Sequence, residues 1–106
     1  MTIVLPVWNG EPFLGEALES IGRQRWRAFE IVVVDDGSTD ASAAIAGAYP
    51  GVHLLRQARA GVAAARNRGV AAAHGELIAF LDQDDRYTPD KLERQAVAQH
   101  LESGQI

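Results

Sequence analysis

Residues 31–40 read Ile31-Val32-Val33-Val34-Asp35-Asp36-Gly37-Ser38-Thr39-Asp40, and their reading decides the fold. Four β-branched apolar residues follow one another with no polar alternation, the pattern of a short strand buried on both faces, as in a parallel sheet covered by helices. The run stops at two carboxylates. Gly37, Ser38, Thr39 and Asp40 then turn the chain and offer caps to a following helix. An acidic pair therefore stands at the carboxyl end of a central strand, the end at which open α/β sheets bind ligands. Asp-Gly is also ordinary turn chemistry, and on that plainer reading the acids only cap the next helix.

Upstream, residues 2–7 are apolar and β-branched and break at Pro6, Asn9 and Gly10, so they read as a first strand. Leu14, Ala17, Leu18 and Ile21 recur at helical spacing after Pro12, which predicts a first helix over 12–25. Glu11 and Glu16 lie near its positive end, and Arg23, Arg25 and Arg27 near its negative end. The basic cluster around Trp26 is thus read as a solvated helix terminus.

Downstream, Asp40 or Ser38 is expected to cap a short helix that runs through Ala48 and is ended by Tyr49-Pro50-Gly51. Residues 52–56 form a third strand, more polar and hence expected at an edge. The alanine-rich stretch 61–73 reads as a helix whose small residues let it lie close on a sheet. Val62, Arg66 and Val70 are spaced by four and share one face, which sets a guanidinium in an apolar stripe. Arg66 either snorkels from the margin of that stripe or points into a polar cleft, the reading favoured here. Gly69 costs about 1 kcal/mol in a helix interior, so close packing is expected to explain it. Residues 77–81 make a fourth strand that again ends in acids, at Asp82, Gln83, Asp84 and Asp85. Thr88-Pro89 then opens a last helix over 89–103. His53, His74 and His100 are scattered, with no metal-ligand or triad spacing, and read as surface or helix-end residues.

A length of 106 residues bounds the chain to a single domain, 1–106. The absence of cysteine excludes disulfides, zinc thiolates and thiol nucleophiles. A formal charge of −4 argues against nonspecific nucleic-acid binding. No apolar run approaches the ~20 residues of a membrane helix, and the N-terminus lacks the basic flank of a signal peptide. A cytoplasmic protein is expected, with any contact at the inner membrane face peripheral.

Alternating strands and helices imply a Rossmann-like three-layer αβα sandwich with a parallel sheet and right-handed crossovers. If the first three strands run outward and the fourth returns beside the first, the order is 3-2-1-4 and a crevice opens between strands 1 and 4. Pro6 to Asn9, Asp35 and Asp36, and Asp82 to Asp85 would converge there. Asp82 and Asp84 point the same way in extended chain and offer two hard oxygen ligands, a pair suited to Mg²⁺ or Mn²⁺ shared with a diphosphate. Asp36 is placed to accept hydrogen bonds from a base or ribose.

These segments together resemble the N-terminal nucleotide-binding half of a family 2 glycosyltransferase of the GT-A fold. The matching motifs are Ile3-Val4-Leu5-Pro6-Val7-Trp8-Asn9, Val34-Asp35-Asp36-Gly37-Ser38-Thr39-Asp40, residues 61–69, Phe80-Leu81-Asp82-Gln83-Asp84-Asp85 and Thr88-Pro89-Asp90-Lys91-Leu92-Glu93. They span nearly the whole chain in the right order. The resemblance implies that Pro6, Trp8 and Glu11 line the donor pocket, Trp8 standing where tyrosine is common. It implies that Asp35 and Asp36 meet the nucleotide, that Arg66 sits near it, and that Asp82 and Asp84 handle ribose and metal. Asp85 is kept beside Asp84 as an alternative metal ligand, and Gln83 stands where a smaller residue is usual.

The activity so implied is transfer of a sugar from a nucleotide diphosphate, UDP being expected, to an acceptor glycan or lipid-linked sugar in polysaccharide or glycolipid assembly. The acceptor half and the catalytic base are expected beyond residue 106. The sheet edge beyond strand 4 is then expected to pair two copies of the chain as a homo-oligomer. A receiver-like phosphoacceptor module, which also gathers aspartates around Mg²⁺, is the alternative. That class wants a lysine at a later strand end, and Lys91 falls in a predicted helix. A third reading is a truncated domain kept for nucleotide binding or association alone.

Overall fold

The computed structural model describes residues 1–24, 30–75 and 77–81, and the structural statements here concern those residues. The two apolar runs become β1 (Thr2–Val7) and β2 (Glu30–Asp36). All of β1 and residues 32–36 of β2 are buried, as a strand covered on both faces requires. Between and after them come α1 (Glu11–Gly22), α2 (Ser42–Ala48), β3 (Val52–Gln57), α3 (Val62–Ala72) and β4 (Ile78–Phe80).

The strands form a parallel sheet in the order β3-β2-β1-β4. This is the 3-2-1-4 order anticipated from the sequence, with β3 at an edge. It differs from the 2-1-3-4-5 order of receiver-type sheets, because β3 pairs with β2 and not with β1. The receiver alternative is set aside on that ground.

Crossover handedness assigns the layers. The steps β1 to β2 and β2 to β3 move the same way across the sheet, so right-handed connections put α1 and α2 on one face. The step β3 to β4 returns past β1, which sends α3 to the other face. Ile3, Leu5, Val7 and Val33 accordingly pack with Leu14, Ala17, Leu18 and Ile21 of α1 and Ala46 of α2. Val32 and Val34 pack with Ala65 of α3.

The two faces are built differently. The α1 side is filled by large side chains, whereas α3 buries Ala65 and Gly69. A β-carbon at Gly69 would collide with Cγ1 of Val4, so the helix lies where only glycine fits. Close packing thus explains Gly69, as expected, and the face shared by Val62, Arg66 and Val70 is not the one pressed on the sheet. Val62 is 52% and Val70 43% exposed, because the close approach turns the small residues inward.

Helix ends also depart from expectation. Ala41, not Ser38 or Asp40, stands at the N-cap of α2 and makes no side-chain cap bond. Asp40 Oδ1 accepts instead from the backbone N–H of Ser42 at 2.9 Å and from its hydroxyl at 2.5 Å. Helix α1 ends at Gly22 with Arg23 at its C-cap. The cluster of Arg25, Trp26 and Arg27, the acids Asp82, Asp84 and Asp85, His100 and the helix expected over 89–103 lie outside the described residues.

Candidate functional site: a cleft at the carboxyl ends of β1 and β2

Strand alternation separates the acidic pair. Val33 faces α1 and Val34 faces α3, so Asp35 and Asp36 point to opposite faces of the sheet. Asp35 is 1% exposed on the α1 and α2 side. Its Oδ1 accepts from the Ser38 N–H at 3.2 Å, and Arg56 Nε stands 3.4 Å from its Oδ2. Of the two carboxylates anticipated at the nucleotide, only Asp36 faces α3 and the cleft.

Asp36 is nearly buried, yet its carboxyl is held below the usual aspartate range. Burial pushes it up. That push is outweighed by donors: Gln57 Nε2 at 2.9 Å and the Ala60 N–H at 2.8 Å on Oδ1, the Gly61 N–H at 2.9 Å and Arg59 Nη1 at 2.6 Å on Oδ2. Two donors on each oxygen fix the loop between β3 and α3 over the end of β2. Gly37 makes room for that loop. Its φ is +75°, and a β-carbon there would stand 2.7 Å from the Arg59 backbone nitrogen.

The cleft itself holds about 250 Å³. Pro6, Val7 and Trp8 supply one wall from the end of β1, Val62 and Ala65 another from the first turns of α3, and Asp36 and Arg59 the polar rim. The Arg59 guanidinium lies over the Trp8 ring, 4.1 Å from its centroid. Trp8 is nonetheless 45% exposed. An aromatic face, apolar walls and a carboxylate suit a planar heterocycle that carries N–H or hydroxyl donors. A carboxylate pinned by four donors is a poor proton acceptor, so Asp36 is no general base.

The rest of the quoted stretch is structural, as its plainer reading had it, but its partners are distant in sequence. The Asn9 N–H donates to Ser38 Oγ at 3.0 Å, the Gly10 N–H to Ser42 Oγ at 3.0 Å, and the Glu11 N–H to Asp40 Oδ2 at 3.1 Å. Asn9 Oδ1 accepts in return from the Thr39 N–H at 2.8 Å. The loop after β2 thus satisfies the free backbone donors at the start of α1 and fixes the turn that carries Trp8. Asp40 is held below its usual range first by the Ser42 hydroxyl, with the Ser42 and Glu11 backbone groups adding to it against some desolvation.

Pro6 and Trp8 line the cleft, whereas Glu11 is exposed on the first turn of α1 and is not part of its wall. Arg66 stands with its guanidinium 5.7 Å from the centroid of the Phe80 ring, linking α3 to β4. Asp82, Asp84 and Asp85 lie outside the described residues. Among the described residues no group of three or more His, Cys, Asp or Glu could hold a metal ion, and no helix is long and apolar enough to cross a membrane. Arg59, Gln57 and Val62 were not anticipated. The available signal was topological: the loop that ends in Gly61 leaves β3 at the same edge as Asp36.

Comparison with known proteins agrees with this geometry. An Escherichia coli K12 protein named as the uncharacterized glycosyltransferase YibD is 41% identical over 97 residues, covering 88% of this chain and 28% of the relative. The solved structure of S. aureus TarS 1-349 in complex with UDP matches with a TM-score of 0.86 at 30% identity, over 95% of this chain and 32% of that one. The mannosyltransferase PcManGT from Pyrobaculum calidifontis, in complex with GDP-Man and Mn²⁺, matches with a TM-score of 0.80 at 30% identity, over 91% of this chain and 30% of that one. The chain spans under a third of the length of each. Residues 2–101 match the model of glycosyl transferase family 2, and with the 3-2-1-4 sheet and the cleft at its carboxyl edge, the chain belongs to that family.

Proposed function

We propose that this chain is the donor-binding half of a metal-dependent glycosyltransferase that moves a sugar from a nucleotide diphosphate, UDP foremost, to an acceptor in polysaccharide or glycolipid assembly. The observation that carries the reading is the cleft in which Trp8, Pro6 and Asp36 meet at the carboxyl ends of β1 and β2. Relatives by structure bind UDP or GDP-Man, which supports a nucleoside diphosphate as the class of ligand.

Within this reading the base and ribose occupy the cleft, with Trp8 as the flat wall and Asp36 as the acceptor of their donors. The four donors on Asp36 leave it a poor metal ligand, so cation binding falls to Asp84 with Asp82 or Asp85. A divalent cation there offsets the charge of the departing diphosphate. The residues of this chain bind and orient the donor, and deprotonation of the acceptor is assigned to a carboxylate outside them.

Calorimetry with UDP, with and without Mn²⁺, tests the assignment. Mn²⁺ should tighten UDP binding to the wild type, and Asp84→Ala should abolish most of that gain, because one remaining carboxylate competes poorly with water for a strongly hydrated cation. UDP affinity indifferent to metal, or equal metal dependence in Asp84→Ala, would defeat it.

A further inference from the structure

The cleft carries its own occupant. Arg59 makes two contacts at once: its guanidinium covers the Trp8 ring at 4.1 Å, and its Nη1 donates to Asp36 Oδ2 at 2.6 Å. A planar cation stacked on the ring and bonded to the carboxylate fills the position that a planar base needs. No ring fits between a guanidinium and an indole at that separation. The side chain is 50% exposed, whereas its partner Asp36 is 2% exposed, so the arginine is the member of the pair free to leave.

We propose that Arg59 is the gate of the base subsite, an internal competitor that a nucleoside diphosphate displaces from Trp8 and Asp36. The inference rests on the donor-binding reading above. A half-exposed ion pair and a half-exposed cation–π contact are each weak. The closed state is therefore favoured only modestly, and the apparent affinity of an incoming base falls by the fraction of open protein, on the order of tenfold. The displaced guanidinium then finds a new partner in the diphosphate, whose oxygens it can meet with paired N–H groups. Arg59 thereby selects for donors with both a base and phosphates: a bare nucleoside bears the cost of opening and returns nothing, while a nucleoside diphosphate recovers part of it.

The backbone that carries Arg59 is held independently of its side chain. Gly37 lets the Arg59 backbone sit within a distance that any side chain at 37 would obstruct, and the Ala60 and Gly61 N–H groups anchor the loop to Asp36 irrespective of the arginine. Removal of the side chain should thus open the subsite without releasing the loop.

Calorimetric titration of the protein with uridine and, separately, with UDP in the presence of Mn²⁺ tests the gate, with thermal melting of each variant as the check on folding. Arg59→Ala should bind uridine about tenfold more tightly than the wild type, with a smaller gain for UDP. Arg59→Gln, which keeps a donor toward Asp36 without the cation, serves if the alanine variant melts early. Damage to the loop weakens binding and cannot tighten it, so tightening separates the gate from a structural role. Unchanged or weaker uridine binding by the variants, while the wild type still binds UDP, would overturn the gate and leave the donor-binding reading intact. A UDP gain as large as the uridine gain would overturn the exchange onto the diphosphate. Failure of wild type and variants alike to bind UDP would overturn both readings.

Discussion

β2 begins and ends on a carboxylate, and the two are set to comparable tasks. At the amino end Glu30 Oε1 accepts from the Thr2 hydroxyl at 2.6 Å and from the His74 N–H at 2.5 Å, just past α3, with His74 Nδ1 3.3 Å from Oε2. At the carboxyl end Asp36 accepts from the N–H groups of Ala60 and Gly61, just before α3. Both ends of the helix that lies closest on the sheet are thus hooked to the two ends of one strand. The difference lies in the surroundings. Around Glu30 the Thr2 hydroxyl is closed off by the Gly75 N–H at 3.0 Å. Around Asp36 the half-exposed faces of Trp8 and Val62 border open volume. A well-bonded carboxylate marks a clamp; a clamp beside unfilled apolar surface marks a site.

The comparison breaks most readily at Asp36. Asp36→Ala leaves the Ala60 and Gly61 N–H groups, Gln57 and Arg59 without their acceptor, and each buried donor so orphaned costs about 1–3 kcal/mol. Urea denaturation should show this loss together with loss of UDP binding. A smaller loss than that caused by removal of the Glu30 carboxylate would reverse the ranking drawn from burial, since the Asp36 side chain is 2% and that of Glu30 31% exposed. Next in size, Gly37→Ala imposes a positive φ on alanine and presses on the Arg59 backbone. It should cost about 1–3 kcal/mol and weaken UDP binding as the loop shifts. Unchanged affinity would uncouple that loop from the cleft.

Much of this was legible in the sequence, for reasons that also explain the failures. The β-branched runs locate the strands, because strand burial is a local matter, and the 3-2-1-4 order is one arrangement that the crossover rule permits and the sheet adopts. The close approach of α3 is legible in its small residues and in Gly69, whereas the stripe of Val62 and Val70, to which periodicity gives weight, lies on the exposed side. Asp35 and Asp36 were kept together although the alternation rule applied to Asp82 and Asp84 separates them equally well. Ser38, Thr39 and Asp40 read as a turn that offers caps to the nearest helix, where Asp40 does accept from the N–H of its first residue, Ser42. They also hold the first turn of the preceding helix, some 30 residues back, a pairing that only the tertiary fold creates. Arg59 carried no motif, and its role follows from what it covers.

The smallest expected effect sharpens the comparison at the amino end. The Glu30 carboxyl is lowered from its ordinary 4.5 to about 2, first by the Thr2 hydroxyl and then by the His74 N–H, against some desolvation. A carboxyl lowered on folding adds stability that is fully present above the unfolded value and is lost as pH falls through the folded one. Glu30→Gln should therefore cost about 1 kcal/mol near neutral pH, the ordinary weight of such bonds. That cost should shrink as pH falls below 4.5 and vanish only below pH 2, where the carboxyl is protonated in the folded protein too. Asp36 and Asp40, also lowered, are present in both proteins and cancel in the difference. UDP affinity should not change. Denaturation midpoints of the two proteins across that pH range, with UDP titration at neutral pH, decide the matter. A gap that does not narrow between pH 4.5 and pH 2 would deny Glu30 its clamp, and a drop in UDP affinity would mean that the two ends of β2 are not separate in function.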